Sequence, residues 1–294
     1  NNSLIEMLDS KVDEAYYDMV ISTSLNHEMQ KDNIKIVYSP QHGTGYIPVT
    51  TVLKRLGYNV IEVKEQCEPR GDFANTLSPN PEEAKAYDLA IKYARKYDAD
   101  LICTTDPDCD RLGIVLFDNN NEPVYMTGNQ TGAILINYLL SVRKEKGLLP
   151  ENRKVDKKGV IFNTIVTSPL GEKVANMYGV ETQKTLTGFK YIGDKIKEYE
   201  KSKENFIFGL EESYGYLKGT YARDKDAVVA AMLICELAAE CKQKGVTLSQ
   251  HLDKLYKKYG YHKEILLDFT FEGISGSNKI KKIMQGFRTF NSFD

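Results

Sequence analysis

The stretch LICTTDPDCDRLGIVLF, residues 101–117, sets an acidic loop between two short apolar runs. The runs 101–103 and 113–117 predict two buried strands. The loop between them, Asp106-Pro107-Asp108-Cys109-Asp110-Arg111, is therefore anchored at both ends.

Strand-like and helix-like segments alternate on both sides of this stretch, which is typical of an α/β protein. Before it, the pattern predicts a helix that starts at Asn80-Pro81-Glu82-Glu83, with a cap, a proline at the first position and acids in the first turn. After it, the alternation continues to a last predicted strand, Ile265 to Phe271. The remaining predicted strands are 34–38, 58–63, 160–163 and 206–208, and the remaining helices are 47–56, 131–146, 169–178, 225–244 and 248–259.

Length and composition exclude several classes of protein. The 294 residues predict two domains, and 41% apolar with 27% charged residues is ordinary for a globular chain. A net charge of −2 argues against nucleic acid as a partner. The longest apolar run, 227–235, is far shorter than the about 20 residues that span a bilayer, so no membrane partner is expected. Five cysteines without a C-x-x-C pair, and no visible signal peptide, predict a cytoplasmic location.

The acidic loop predicts a site for a hard divalent cation. Carboxylates at i, i+2 and i+4 can converge on one point, and an oxygen-liganded ion, Mg²⁺ first, offsets their repulsion. Arg111 adds donors suited to an oxyanion. An EF-hand is excluded because Arg111 and Phe117 stand where glycine and glutamate are required. A dehalogenase-type phosphatase is excluded because Asp110 replaces its Thr or Val. A solvated acidic turn and a D-x-D glycosyltransferase stay open.

Four further segments are candidates for sugar or phosphate binding, and each also has a purely structural explanation. The segment Glu211-Glu212-Ser213-Tyr214-Gly215 suits sugar hydroxyls but could be a surface loop. The segment Arg223-Asp224-Lys225-Asp226 suits a phosphate at a helix start but could be a solvated terminus. The turns Thr187-Gly188-Phe189-Lys190 and His42-Gly43-Thr44-Gly45 could approach an anion or simply connect two elements.

Taken together and in this order, these segments resemble the α-D-phosphohexomutase superfamily, which includes the phosphoglucomutases and phosphomannomutases. Residues 106–111 resemble its metal loop D-G-D-G-D-R, with Pro107 and Cys109 in place of the two glycines. Residues 211–213 resemble its sugar loop G-E-x-S-G, although Leu210 precedes the glutamate and Tyr214 separates Ser213 from the glycine. Residues 78–83 and 42–45 are most similar to the branch of bacterial α-phosphoglucomutases and animal phosphopentomutase-type enzymes.

The resemblance implies a fold and a domain order. It implies two similar three-layer α/β/α domains, each with a small mixed sheet flanked by helices. Residues 30–120 would be domain II with the metal loop, and 121–262 domain III with the sugar loop. Residues 1–29 would be a linker from a missing N-terminal domain, and 263–294 would lead into a missing C-terminal domain. Domains I and IV would be partners, and domain I would carry the nucleophilic serine, which is not expected in this chain.

The resemblance also implies an activity: interconversion of glucose 1-phosphate and glucose 6-phosphate through a phosphoserine and glucose 1,6-bisphosphate. Phosphomannomutase or phosphopentomutase activity, a non-catalytic sugar-phosphate-binding protein and, third, a metal phosphatase are the alternatives. The implied metal ligands for Mg²⁺ are Asp106, Asp108 and Asp110; the implied catalytic residues are Arg111 and Lys225; the implied substrate-binding residues are Thr187, Gly188, Glu211, Ser213 and Arg223.

Overall fold

A computed structural model describes residues 4–118, 120–149, 159–202, 206–267 and 269–290. Its first sheet has the strand order β2-β1-β3-β4-β5. The strands β2, β1 and β3 run parallel, and β4 and β5 are antiparallel to their neighbours. The strand bounds are β1 Lys35–Ser39, β2 Asn59–Glu62, β3 Leu101–Thr105, β4 Leu112–Phe117 and β5 Pro123–Met126.

Helices cover both faces of the first sheet. Helix α3 (Asp88–Tyr97) packs one face through Ala90 and Ala94, against a cluster that includes Val37 and Ile102. Helices α1 (Ser10–Ser22) and α2 (Tyr46–Arg55) belong to the core on the other face. The segment 1–29, predicted as a linker, thus contains a helix that buries Tyr17 and Val20.

The second sheet has the order β7-β6-β8-β9, with β9 antiparallel to β8 and the other pairs parallel. Helix α6 covers one face with Phe189, Ile192 and Ile196. The strands are β6 Val160–Thr164, β7 Glu181–Thr185, β8 Phe206–Glu211 and β9 Gly215–Leu217; the helices are α4 Gly128–Glu145, α5 Pro169–Met177, α6 Phe189–Ser202, α7 Ala227–Gln243 and α8 Leu248–Tyr259. The predicted fold class, two α/β/α domains with small mixed sheets, is confirmed.

Helix α7 joins the two domains into one body. Its sequence AVVAAMLICELAAECKQ is apolar around most of its circumference, and a helix of that kind is buried on all sides. It contacts β3 and β4 of the first sheet and β9 of the second. One hydrophobic core therefore runs from Ile36 and Leu101 to Phe208 and Tyr216. In the described part of the chain, no helix combines the length and apolar composition needed to cross a bilayer.

Two predicted elements are wrong. The described residues of 265–271 lie in no strand, because a strand needs a hydrogen-bonded neighbour and these residues have none. The compact unit that they open, from Lys263 onward, contains helix α9 (Gly273–Thr289). The helix predicted from Asn80 begins only at Asp88, after a 3₁₀ turn over Ala84–Tyr87.

Candidate functional site

The three aspartates of the acidic loop converge. One carboxylate oxygen from each of Asp106, Asp108 and Asp110 lies within 4.8 Å of the other two. Asp106 is 2% exposed and Asp108 is open to solvent, so the cluster has a buried floor and an accessible mouth. The loop turns at Cys109, whose φ of 61° lies in the left-handed region that favours glycine. Cys109, which stands at a glycine of the family pattern, therefore adopts a backbone conformation that glycine favours.

Backbone contacts hold this loop in place. The Asp106 Oδ1 atom accepts the N–H groups of Asp110 at 3.1 Å and Arg111 at 3.0 Å. The Cys109 carbonyl accepts the Ala227 N–H at 3.1 Å, and the Pro107 carbonyl accepts the Thr44 N–H at 2.7 Å. The turn 42–45 thus braces the loop and is a tight connection, with its Thr44 N–H already engaged.

Two cations neutralise part of the acidic cluster. Arg111 donates from Nε to Asp106 Oδ2 at 2.6 Å, and Lys225 Nζ lies 2.9 Å from Asp110 Oδ2 and 3.0 Å from Asp224 Oδ1. Lys225 also lies over the ring of Phe189, 5.7 Å from its centroid. Burial raises the pKa of Asp106 to about 6, against the opposing pull of Arg111.

The donor set fits a hard divalent cation. The three converging groups are all carboxylates, the oxygen ligands that Mg²⁺ and similar ions take in proteins. Asp108 carries no cationic partner among the described ion pairs, and Asp110 shares its charge with Lys225. A cation could therefore bind at the solvent side of the loop without first breaking the buried Asp106–Arg111 contact.

The sugar-loop candidates meet at the carboxyl edge of the second sheet. Glu211 ends β8, is 6% exposed, and accepts the Gly188 N–H at 2.8 Å. This contact joins the segments around 187 and 211. Burial raises the pKa of the Glu211 carboxyl. The adjacent Glu212 turns elsewhere, because its Oε2 accepts the Thr164 hydroxyl at 2.6 Å.

The acidic loop and the sugar loop are directly connected across the two domains. The Leu112 N–H donates to the Tyr214 carbonyl at 3.0 Å, and Arg111 forms a β-bridge with Gly215. A side chain at Gly215 would lie 2.1 Å from Lys225 Cδ, so this glycine lets the lysine pass between the loops. The structure thereby brings together Asp106, Asp108, Asp110, Arg111, Lys225, Gly188 and Glu211.

Arg223 is separate from this group. Its guanidinium is exposed and pairs with Glu200 of α6, and it also donates to the Ala222 carbonyl at 3.1 Å. Ser213 lies in the turn between β8 and β9. Thr187 is exposed beside Gly188. The substrate-binding roles of Ser213, Thr187 and Arg223 therefore stay predictions.

The contacts of Asp226 with two tyrosines were not predicted. The Asp226 carboxylate caps α7 through the Val228 N–H at 2.7 Å and accepts the hydroxyls of Tyr16 at 2.8 Å and Tyr221 at 2.6 Å. A cavity of about 440 Å³ opens between these tyrosines, Asp108, Asp110 and Lys225. An aspartate before an apolar helix is a visible capping signal, but the two tyrosine contacts have no local signature.

Glu82 and Asn80 also reach the site unpredicted. Arg111 Nη1 donates to Glu82 Oε1 at 2.9 Å and to Asn80 Oδ1 at 3.3 Å. These side chains belong to the segment predicted as a helix start. Their carboxylate and amide oxygens face the guanidinium instead of capping a helix.

Two α/β/α domains with small mixed sheets, one of which carries the acidic loop, define the class of fold, and comparison with known proteins identifies the family. Residues 14–119 match the model "Phosphoglucomutase/phosphomannomutase, alpha/beta/alpha domain II", and residues 127–259 match the corresponding domain III. The chain belongs to the phosphohexomutase superfamily and comprises its domains II and III.

Relatives of known sequence and structure agree. The chain is 40% identical over 288 residues to a phosphoglucomutase of Staphylococcus epidermidis, and 36% identical over 290 residues to one of Staphylococcus aureus. Each alignment covers 98% of this chain and 50% of the relative, so the chain spans about half the length of these proteins.

The fold is shared with two solved structures. A phosphoglucomutase/phosphomannomutase family protein of Burkholderia thailandensis has a TM-score of 0.64 at 17% identity, covering 85% of this chain and 47% of that one. The parafusin of Paramecium has a TM-score of 0.59 at 19% identity, covering 84% and 42%.

Proposed function

We propose that this chain is the metal- and sugar-phosphate-binding part of a phosphoglucomutase, which interconverts glucose 1-phosphate and glucose 6-phosphate through a phosphoserine and glucose 1,6-bisphosphate. The observation that carries the proposal is the junction of the acidic loop and the sugar loop at Leu112 N–H and the Tyr214 carbonyl. Both relatives compared by sequence are named phosphoglucomutase, which favours glucose over mannose or pentose phosphates.

The acidic residues of the site would bind the metal ion, and the basic residues would face the phosphoryl group. Asp106, Asp108 and Asp110 would hold Mg²⁺, which when bound supplies positive charge to a phosphoryl group. Arg111 holds the Asp106 carboxylate in place through its Nε–H, and offers further N–H donors to phosphate oxygens. Lys225 brings a half-buried ammonium to the same edge. Positioned cations of this kind stabilise the charge that spreads over a transferring phosphoryl group.

The second loop supplies sugar contacts. Glu211 is fixed by the Gly188 N–H through Oε1, which leaves Oε2 for a sugar hydroxyl. Ser213, Thr187 and Arg223 complete the proposed substrate-binding group. The serine that carries the phosphoryl group would be supplied by domain I, so this chain by itself is proposed to bind but not to turn over. A cytoplasmic location stays part of the proposal, supported by five free cysteines.

The test measures binding by the chain as it stands. We expect Mn²⁺, observed by electron paramagnetic resonance as a probe for Mg²⁺, to bind the wild-type chain, and Asp108→Asn to weaken it at least about tenfold, because a carboxylate ligand is lost. Asp253→Asn, an exposed acid on α8, is the matched control and should bind as wild type does.

A second arm addresses the sugar phosphate. Glucose 1,6-bisphosphate should bind in the presence of Mg²⁺, and Glu211→Gln should weaken it. Equal Mn²⁺ affinity in wild type and Asp108→Asn would contradict the metal site. Turnover of glucose 1-phosphate by this chain alone, in a coupled assay with the bisphosphate present, would contradict the external serine.

A further inference from the structure

We propose that Glu82, together with Asn80, is a positioning residue that sets the orientation of Arg111 in the site. The inference rests on the proposed function, since it concerns the residue that would face the phosphoryl group. The turn that contains Asn80 and Glu82, which the sequence predicts as a helix start, lies against Arg111 in the structure.

The turn is built to hold its two side chains in place. The Asn80 Oδ1 atom accepts the Glu82 N–H at 3.0 Å, and the Asn80 carbonyl accepts the Glu83 N–H at 3.0 Å. The Tyr87 hydroxyl donates to the Pro81 carbonyl at 2.6 Å. The turn therefore has a fixed shape before Arg111 is considered.

Its approach to the sheet depends on one glycine. A Cβ atom at Gly113 of β4 would lie 1.9 Å from the Tyr87 hydroxyl and 2.9 Å from the Pro81 carbonyl. Only a residue without a side chain lets the turn pack this closely on the strand that begins just after Arg111. The turn is thus packed directly on β4, the strand that follows Arg111 in the chain.

The guanidinium is gripped from two sides. Nε donates to Asp106 Oδ2 at 2.6 Å, and Nη1 donates to Glu82 Oε1 at 2.9 Å and Asn80 Oδ1 at 3.3 Å. Two charge-assisted contacts at different nitrogens fix the plane of the fork. The N–H groups on Nη2 have no partner among the described residues, so the grip leaves them for an oxyanion.

Glu82 also determines which carboxylates the Arg111 guanidinium contacts. Arg111 Nε lies 3.8 Å from Asp110 Oδ1, so the guanidinium is already near a second aspartate of the acidic loop. Without Glu82, a rotation toward Asp110 would pair the cation with a proposed metal ligand. The Glu82 contact therefore holds Arg111 on the Asp106 side and leaves the open side of the cluster to an incoming ion and phosphate.

The experiment observes the Arg111 side chain directly. In ¹⁵N-labelled full chain, the Arg111 Nε–H signal is assigned by its loss in Arg111→Lys, and its exchange with water is measured without metal. We expect slow exchange in wild type and exchange about tenfold faster in Glu82→Gln, because loss of the charged partner at Nη1 lets the guanidinium rotate and weakens the contact from Nε–H to Asp106. Glu83→Gln is the matched control: its carboxylate pairs with Lys85, so the Arg111 signal should not change.

A titration with inorganic phosphate in the presence of Mg²⁺ supplies the functional readout. Phosphate should shift the Arg111 signals in wild type, and its affinity should fall about fivefold in Glu82→Gln and not in Glu83→Gln, which a merely structural role would not produce. Glu82→Asp, which keeps the charge, should lie between the two.

Exchange at Arg111 that is equally fast in wild type and Glu82→Gln would overturn the positioning role. If Glu82→Gln fails to fold, judged by its amide spectrum, Asn80→Ala and Glu82→Asp decide the same point, and unchanged exchange in both would overturn it. Phosphate that leaves Arg111 unaffected in wild type, with faster exchange in Glu82→Gln, would support the positioning of Arg111 while contradicting the proposed function.

Discussion

Replacing Lys225 by methionine should tighten binding of a divalent cation. The Nζ atom of Lys225 lies 2.9 Å from Asp110 Oδ2, and the lysine side chain is only 15% exposed. A cation that takes Asp110 as a ligand must compete with this ammonium for the same oxygen. Removing the ammonium removes the competitor and leaves Asp110 with more of its charge to offer.

The structure sets the size of the effect. Coulomb's law at this distance gives about 6 kcal/mol with an effective dielectric constant of about 20. The cost of desolvating both charges offsets much of this attraction, and the net contribution of a hydrogen bond to a charged group is about 1.5–3 kcal/mol. Since about 1.4 kcal/mol is a factor of ten, Lys225→Met should lower the Kd for Mn²⁺ between about tenfold and about a hundredfold.

The assay is electron paramagnetic resonance of free Mn²⁺ at fixed ionic strength. Lys195→Met removes the same charge from an exposed pair with Glu198 on α6 and should leave the Kd near the wild-type value. An unchanged or higher Kd in Lys225→Met would refute the reasoning, because it would mean that Asp110 is not a ligand or that Lys225 does not compete for it. An equal decrease of the Kd for Mn²⁺ in both variants would mean that the effect comes from the change in net charge and not from the contact with Asp110.

Two more predictions concern stability without metal. Burial raises the pKa of Asp106 to about 6 in the folded chain, whereas a pKa of about 3.9 is expected in the unfolded chain. Between about pH 4 and pH 6 the folded chain therefore keeps this proton and the unfolded chain loses it. The free energy of unfolding should consequently fall as the pH rises through that window, by at most about 3 kcal/mol. Urea titrations at pH 4.5 and pH 7 measure this, and Asp106→Asn should flatten the difference; the same slope in the variant would show that other groups cause it. Gly43→Ala should cost about 1–3 kcal/mol in urea unfolding, because its Cβ would lie 2.3 Å from Pro107 Cα in the backbone of the acidic loop. Gly71→Ala, with open space around it, is the control, and equal losses in both would contradict the packing argument.

Local signals in the sequence were reliable where the physics is local. The acidic loop could be recognised because apolar runs on both sides predict strands, and because carboxylates at alternate positions of a short loop can converge without help from elsewhere. The apolar run after residue 226 predicts a long helix over 225–244, and α7 spans Ala227–Gln243.

The same local logic failed where a distant contact overrides it. The segment 80–82 has the composition of a helix start. The side-chain oxygens of Asn80 and Glu82 nevertheless accept hydrogen bonds from Arg111, and the α-helix begins at Asp88. Residues 265–271 have the composition of a strand, but composition cannot provide a neighbouring strand. Tyr16 lies in a segment predicted as a linker, and its hydroxyl donates a hydrogen bond to the Asp226 carboxylate.

The sequence by itself determined the alternation of strands and helices, the acidic ligand set and the family resemblance, because each depends on residues within one turn, strand or loop. The tertiary structure decided which loops meet. Lys225 reaches Asp110 while its neighbour Arg223 turns to Glu200, and nothing in the segment 223–226 distinguishes the two cations. That choice depends on the packing of α7 between the two sheets and on the bond from Ala227 N–H to the Cys109 carbonyl, contacts between residues far apart in the chain.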